Sequence, residues 1–252
     1  MANFSELAGV LSQSLALTQP PIAVCLANDL PAGVERWSGR VPAGCRFWQE
    51  AATRVFATTS ADHDLCSVGQ YTHGLELSPA AQTDLGDSLK VFADLTYVRE
   101  QDVAAIPVLA AKSKYIVYAP LDQTPLKPEV VLLFVRADQT LILSEAAQQI
   151  EGGLPPAMGR PACAIVPQAS NTGRSALSLG CCGARAYLDV LPDSVALYAI
   201  AGASLPAFAE RVAALAEANR VLTKFHRIRR ADVDAGNRPT IGESLAALQS
   251  AG

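Results

Sequence analysis

The apolar positions of this chain change period along its length, and the changes lay out its elements. Over Phe4–Leu17 ("FSELAGVLSQSLAL") they recur at helical spacing, and Pro20-Pro21 separates that helix from a short apolar strand, Ile22–Ala27. Residues 28–44 are rich in Pro and Gly and read as loop. Cys45–Arg54 ("CRFWQEAATR") has helical composition, and Val55–Thr58 is a strand candidate. Ser78-Pro79 has the form of an N-cap with proline at the first helical position, opening a helix to about Leu95. A weaker helix covers Glu100–Leu109.

From Tyr115 the pattern turns to strands. Tyr115–Ala119 ("YIVYA") and Val130–Val135 ("VVLLFV") are the strongest, and the second is almost continuously apolar, as a central strand covered on both faces must be. Thr140–Ile150 is a helix closed by Gly152-Gly153, and Cys163–Ala169 a short helix. Ala176–Leu179 and Val195–Ile200 are further strands, and Leu205–Arg229 is the longest helix. This interleaving predicts an α/β (or α+β) fold, a mixed central sheet with helices packed on it. The chain reads as one domain over residues 1–252, or as two intimately packed halves of about 1–110 and 111–252.

Half of the 252 residues are hydrophobic and 17% are charged, which suits a well-buried core and excludes a disordered chain. A net charge of −4 argues against a nucleic-acid partner, which calls for a basic surface. The one basic run, "KFHRIRR" (Lys224–Arg230), is expected to end the longest helix, where the dipole favours positive charge. No window approaches the ~18 apolar residues of a membrane span, and the N-terminal stretch lacks a basic leader, so the expectation is a cytoplasmic protein with no membrane partner. In a reducing compartment, six cysteines point to buried thiols, a metal site or reactive thiols rather than to disulfides.

The candidate chemistry gathers at those cysteines. "SADHDLCSVGQYTHG" (Ser60–Gly74) holds His63 and His73, with Asp62 and Asp64 beside the first. His63 and Cys66 are three apart, so on one helical turn they would share a face as ligands for zinc, iron or copper. The two aspartates would orient His63 or simply solvate a polar loop. Cys45, after Val41-Pro-Ala-Gly44, opens a helix beside Arg46, a setting that lowers a thiol pKa; the competing reading is a small buried thiol. Cys163 and Cys25, each in apolar surroundings, read individually as core residues. Cys181 and Cys182 follow a strand, where neighbouring side chains point to opposite sides and one of the pair can be a ligand. Arg174 and Arg185 bracket that strand beside glycines and suit an anionic group, though surface arginines are commoner. There is no CxxC, GxGxxG, P-loop, HExxH, GxSxG or CxxCH, so thioredoxin-like, dinucleotide, kinase, zincin, hydrolase and covalent haem readings have no sequence support.

These segments, in this order, resemble domain-of-unknown-function family 169, an uncharacterised family of archaeal and bacterial proteins. The resemblance runs from "PPIAVCLA" through Cys45, "FATTSADHDLCSVG", "YIVYAPL", "PEVVLLFV" and "GGLPPAMGRPACA" to "NTGRSALSLGCCGAR", most of the chain. It implies no activity, but in the family single cysteines recur at the places of Cys45, Cys66, Cys163 and Cys181; Cys182 and the "GQYTHG" tail with His73 belong less firmly to that pattern. Four thiols from four distant segments match a [4Fe–4S] cluster better than a zinc site, whose ligands usually come as close pairs. The expectation is a cluster on Cys45, Cys66, Cys163 and Cys181 (or Cys182), with His63 as a ligand or acid/base and Arg174 or Arg185 nearby. It would serve a redox partner, or bind and activate a small-molecule ligand. The alternative is a non-redox module with a thiol- and arginine-lined pocket that carries zinc; a third is a set of core thiols. An oligomer is compatible with either metal reading.

Overall fold

The computed structural model describes residues 3–40 and 44–250, so the Val41-Pro42-Ala43 lead-in to Cys45 lies outside the described residues. Seven strands form one sheet: β1 (Ile22–Ala27), β2 (Phe56–Thr58), β3 (Tyr115–Pro120), β4 (Val130–Val135), β5 (Ala157–Met158), β6 (Ala176–Ser178) and β7 (Ala196–Ala201), in the order β2-β3-β1-β4-β7-β6-β5. Every pairing is antiparallel except β5 with β6, so the sheet is mixed. β4 lies at its middle with all six residues buried, which is why its sequence carries no polar alternation.

Because side chains alternate along a strand, each strand sends every second residue to one of two cores. Ile22, Val24, Ile116, Tyr118, Val130, Leu132, Phe134, Leu197 and Ala199 build the first core. Their neighbours Ala23, Cys25, Val117, Ala119, Val131, Leu133, Val135, Tyr198 and Ile200 build the second. The second core is closed by α1 (Phe4–Leu15), α6 (Ala137–Ile150) and α8 (Leu205–Asp234), which pack on one another through Leu11, Leu143 and Phe208. The first is closed by shorter pieces: α2 (Gly44–Glu50), α3 (Ser67–Thr72) and α7 (Ile165–Thr172), with 3₁₀ turns at Ser60–His63 and Ala162–Ala164. α4 (Pro79–Asp94) packs on α3, the short α5 (Glu100–Val103) follows it, and α9 (Ile241–Ser250) packs on α8.

Ser78 caps α4 as its Ser-Pro sequence predicts, its Oγ accepting from the Ala81 amide at 3.1 Å, a contact worth about 1 kcal/mol. Three expectations need correction. The helix over Glu100–Leu109 stops at Val103, because Pro107 disfavours helical backbone at Ile106. The basic run does not end its helix: α8 continues to Asp234, and Arg230 pairs with Asp234 at 2.7 Å instead of meeting bare carbonyls. Finally, α9 lay beyond the predicted elements although Thr240 and Glu243 form a capping box, the Thr240 amide donating to Glu243 Oε2 at 2.7 Å and the Glu243 amide to Thr240 Oγ1 at 3.2 Å. Among the described residues no helix is long and apolar enough to cross a membrane.

Candidate functional site

Four cysteines from four segments meet in the first core. Cys45 is the second residue of α2, and Cys163 lies in the turn that leads into α7; both are buried. Cys66 caps the start of α3, and Cys181 sits in the loop after β6; both are half-buried against the same cluster. Glycine makes the last placement possible. Gly180 has φ +87°, and a Cβ there would stand 2.8 Å from Leu191, so the backbone turns Cys181 inward only without a side chain at 180.

The thiols act on one another. Cys45 is held well above the ordinary thiol range by its hydrogen bond to Cys163, by burial, and by the charges that Cys163, Cys66 and Cys181 would carry. Cys163 is correspondingly lowered, first by that hydrogen bond, so the pair shares a proton. Burial pushes Cys66 up to about 12, and the neighbouring Cys163 adds to the shift. Cys181 is raised by burial and, less, by Cys163. Polar donors are nonetheless aimed at the sulfurs: the Val68 and Gly69 amides at Cys66, the Thr72 hydroxyl at Cys163, and the Ala162 and Ala184 amides at Cys181, the last at 3.4 Å. Such N–H donors stabilise thiolate and tune a metal bound to it. Among the described residues no three His, Cys, Asp or Glu side chains stand close enough together to hold a single metal ion.

The expected sharing of one helical turn by His63 and Cys66 is not what forms. His63 ends the Ser60–His63 turn and Cys66 begins α3, the Cys66 amide donating to the His63 carbonyl at 3.1 Å. Asp62 and Asp64 do not orient His63. Asp62 accepts from the Thr59 amide at 2.7 Å, and Asp64 accepts from Ser78 at 2.6 Å, so both fix the loop. His63 instead shares its Nε2 with Thr58 Oγ1 at 3.0 Å and packs edge-on to Phe47, ring centroids 4.8 Å apart. His73 closes α3 with Nδ1 2.8 Å from the Gly69 carbonyl. Both imidazoles are buried and held neutral below the ordinary range by desolvation; for His63 the charge His73 would carry adds to it.

Cys182 is exposed beside its half-buried neighbour, and it is in helical rather than extended backbone, so the outward turn comes from the following Gly183–Tyr187 π-turn and not from strand alternation. Arg185 gives its guanidinium to the carbonyls of Leu179, Leu191, Pro192 and Val195, at 2.6–3.2 Å, and so ties the Cys181 loop together. Arg174 lies against Glu151, 3.6 Å away, and bonds the Pro155 carbonyl; Glu151 in turn holds Ser175 and adjoins Tyr198 of the second core. Cys25 belongs to that second core, bonded to Thr124 at 3.3 Å, as the sequence reading has it.

Sequence reasoning missed Trp48, Thr72 and Tyr118. Trp48 Nε1, the Tyr118 hydroxyl, His63 Nδ1 and His73 Nε2 are buried with no hydrogen-bond partner among the described residues. The alternating pattern of β3 was the available signal: Tyr118 is a polar-tipped residue on its first-core face.

A mixed-sheet α/β protein with four cysteines gathered against one of its two cores is thus the class that fold and side-chain placement define. The chain belongs to domain-of-unknown-function family 169, the uncharacterised ArCR family, whose profile matches residues 10–210 and so spans all four cysteines. It is 28% identical over 205 residues to the uncharacterized protein MJ0308 of Methanocaldococcus jannaschii, an alignment covering 75% of this chain and 85% of that one. No solved structure matches the chain.

Proposed function

We propose that Cys45, Cys66, Cys163 and Cys181 hold a [4Fe–4S] cluster, used for electron transfer or for binding and activating a small molecule. The observation that carries this reading is the meeting of four thiols from four segments, with amide and hydroxyl donors directed at three of the sulfurs. Without a cation the arrangement is unfavourable, because each thiolate opposes ionisation of the others. A positively charged iron–sulfur core relieves that repulsion. Four thiolates around one zinc at about 2.3 Å would stand roughly 3.8 Å from each other. A four-iron core takes the same four thiolates at a wider spacing.

In this reading, Cys45, Cys66, Cys163 and Cys181 would hold the cluster as thiolates, with Cys45 and Cys163 sharing a hydrogen bond until their protons leave. The buried neutral imidazoles of His63 and His73 keep the neighbourhood free of fixed positive charge. Arg185 holds the Cys181 loop in place rather than contacting a substrate.

The test is anaerobic purification from cells supplied with iron and sulfide. A brown protein with broad visible absorption and acid-labile sulfide supports the proposal. Zinc without sulfide supports the alternative soft-metal module. A colourless chain whose Cys→Ser variants differ only in stability makes these core thiols.

A further inference from the structure

The buried histidine pair has a property that the thiol reading does not use. The Gly69 carbonyl can only accept, so His73 Nδ1, 2.8 Å from it, carries the proton and Nε2 is a bare lone pair. Thr58 Oγ1 has one proton, and it lies 3.3 Å from the Ile116 carbonyl, which again can only accept. We assign that proton to the carbonyl, which makes His63 Nε2 the donor in the 3.0 Å contact to Thr58 and leaves His63 Nδ1 a bare lone pair. These two nitrogens have no partner among the described residues.

The rings face the same place. Their centroids are 5.8 Å apart at an interplanar angle of 41°. A Cβ on Gly44 would stand 3.2 Å from His73 Cε1 and 3.5 and 3.6 Å from His63 Cε1 and Nδ1, so glycine at 44 lets both rings approach the start of α2. Two unpartnered imidazole lone pairs on neighbouring rings repel an anion and attract a cation. An imidazole whose far N–H is anchored on an oxygen is the arrangement that metal-bound histidines adopt, because the anchor fixes the tautomer and raises the basicity of the ligating nitrogen.

We infer that His63 Nδ1 and His73 Nε2 form a second metal position, a two-imidazole site for a borderline divalent first-row ion beside Cys45. Imidazole suits zinc, iron, copper and nickel, and two protein nitrogens leave the remaining positions to water or an exchangeable ligand. The inference stands on the imidazoles and does not require the thiol cluster.

Long-range ¹H–¹⁵N NMR of the imidazoles in the intact protein tests it, with Zn²⁺ as the probe. Before addition, His63 should appear as the Nε2–H tautomer and His73 as the Nδ1–H tautomer. Zn²⁺ should then move the His63 Nδ1 and His73 Nε2 resonances while His226, on α8, stays still. Thr58→Val removes the anchor at nearly constant shape and should weaken Zn²⁺ binding roughly 10–100-fold; His73→Gln should remove the response of His63. A Cys66→Ser/Cys181→Ser protein should keep the imidazole response, which separates this site from the thiol centre. Opposite tautomers, silent imidazoles at excess Zn²⁺, or a response lost with the thiols and kept in His73→Gln would overturn the inference.

Discussion

The two faces of the sheet are made from the same strands and are put to different uses. The second core is covered by three long helices and filled with aliphatic and aromatic side chains, with Cys25 satisfied by Thr124. The first is covered by short helices and turns. It collects four interacting thiols, two neutral imidazoles, and the Trp48 Nε1 and Tyr118 hydroxyl, which have no partner among the described residues. Long helices bury area efficiently but present a regular stripe of side chains. Short turns sacrifice some of that regularity and bring residues from distant segments to one place. The lesson is a division of labour: the helical face stabilises the sheet, and the turn face displays its chemistry.

The largest way to break the comparison is one sulfur on each side. Cys163→Ser should abolish bound iron in the anaerobically purified protein, whereas Cys25→Ser should keep all of it, as read by iron and sulfide assay. Equal loss in both would remove the distinction between the faces. Next comes packing on the helical side. Leu133 is fully buried against those helices, and Leu133→Ala should cost about 2–5 kcal/mol in denaturant unfolding while leaving iron per folded chain unchanged.

How much of this was legible in the sequence differs between the faces in the same way. The continuous apolar run of Val130–Val135 announced the central strand, and Ser78-Pro79 announced the start of a helix, because both signals are local. α3 was not legible: "SVGQYT" has glycine and β-branched residues and becomes a helix through its tertiary setting, packed between α2 and the Cys163 turn. The set of four cysteines came from the family resemblance, since taken singly Cys163 reads as a core residue and Cys45 as readily so. The pairing of His63 with His73 could not be read from the sequence, since it depends on the Thr58 and Gly69 oxygens that orient the rings. Likewise, Asp62 and Asp64 looked like partners of His63 by proximity in sequence, yet capping geometry claims both.

A pH series sharpens the contrast in the metal-free protein. His63 and His73 have depressed values, so below the ordinary imidazole value of about 6.5 the unfolded chain binds protons that the folded chain refuses, and stability should fall as pH drops. Cys66 is raised to about 12, so from about pH 9 upward the unfolded chain loses its proton first and stability should fall again. His63→Gln/His73→Gln should flatten the acid limb and leave the alkaline limb, as followed by thermal unfolding across pH. An acid limb that is unchanged in that variant contradicts the assignment.

Two small effects complete the series. Tyr118→Phe deletes a buried hydroxyl that has no partner, and should shift metal-free stability by no more than about 1 kcal/mol, in either direction. Cys182→Ser, at an exposed position, should change neither stability nor iron content.

The most direct measurement is the iron and acid-labile sulfide content of the anaerobically purified protein, set beside that of the Cys45→Ser, Cys66→Ser, Cys163→Ser and Cys181→Ser variants. The account predicts about four irons and four sulfides per chain in the parent protein and a marked loss in each variant. A folded, colourless parent free of iron and sulfide, with all four thiols open to alkylation on unfolding, would contradict it.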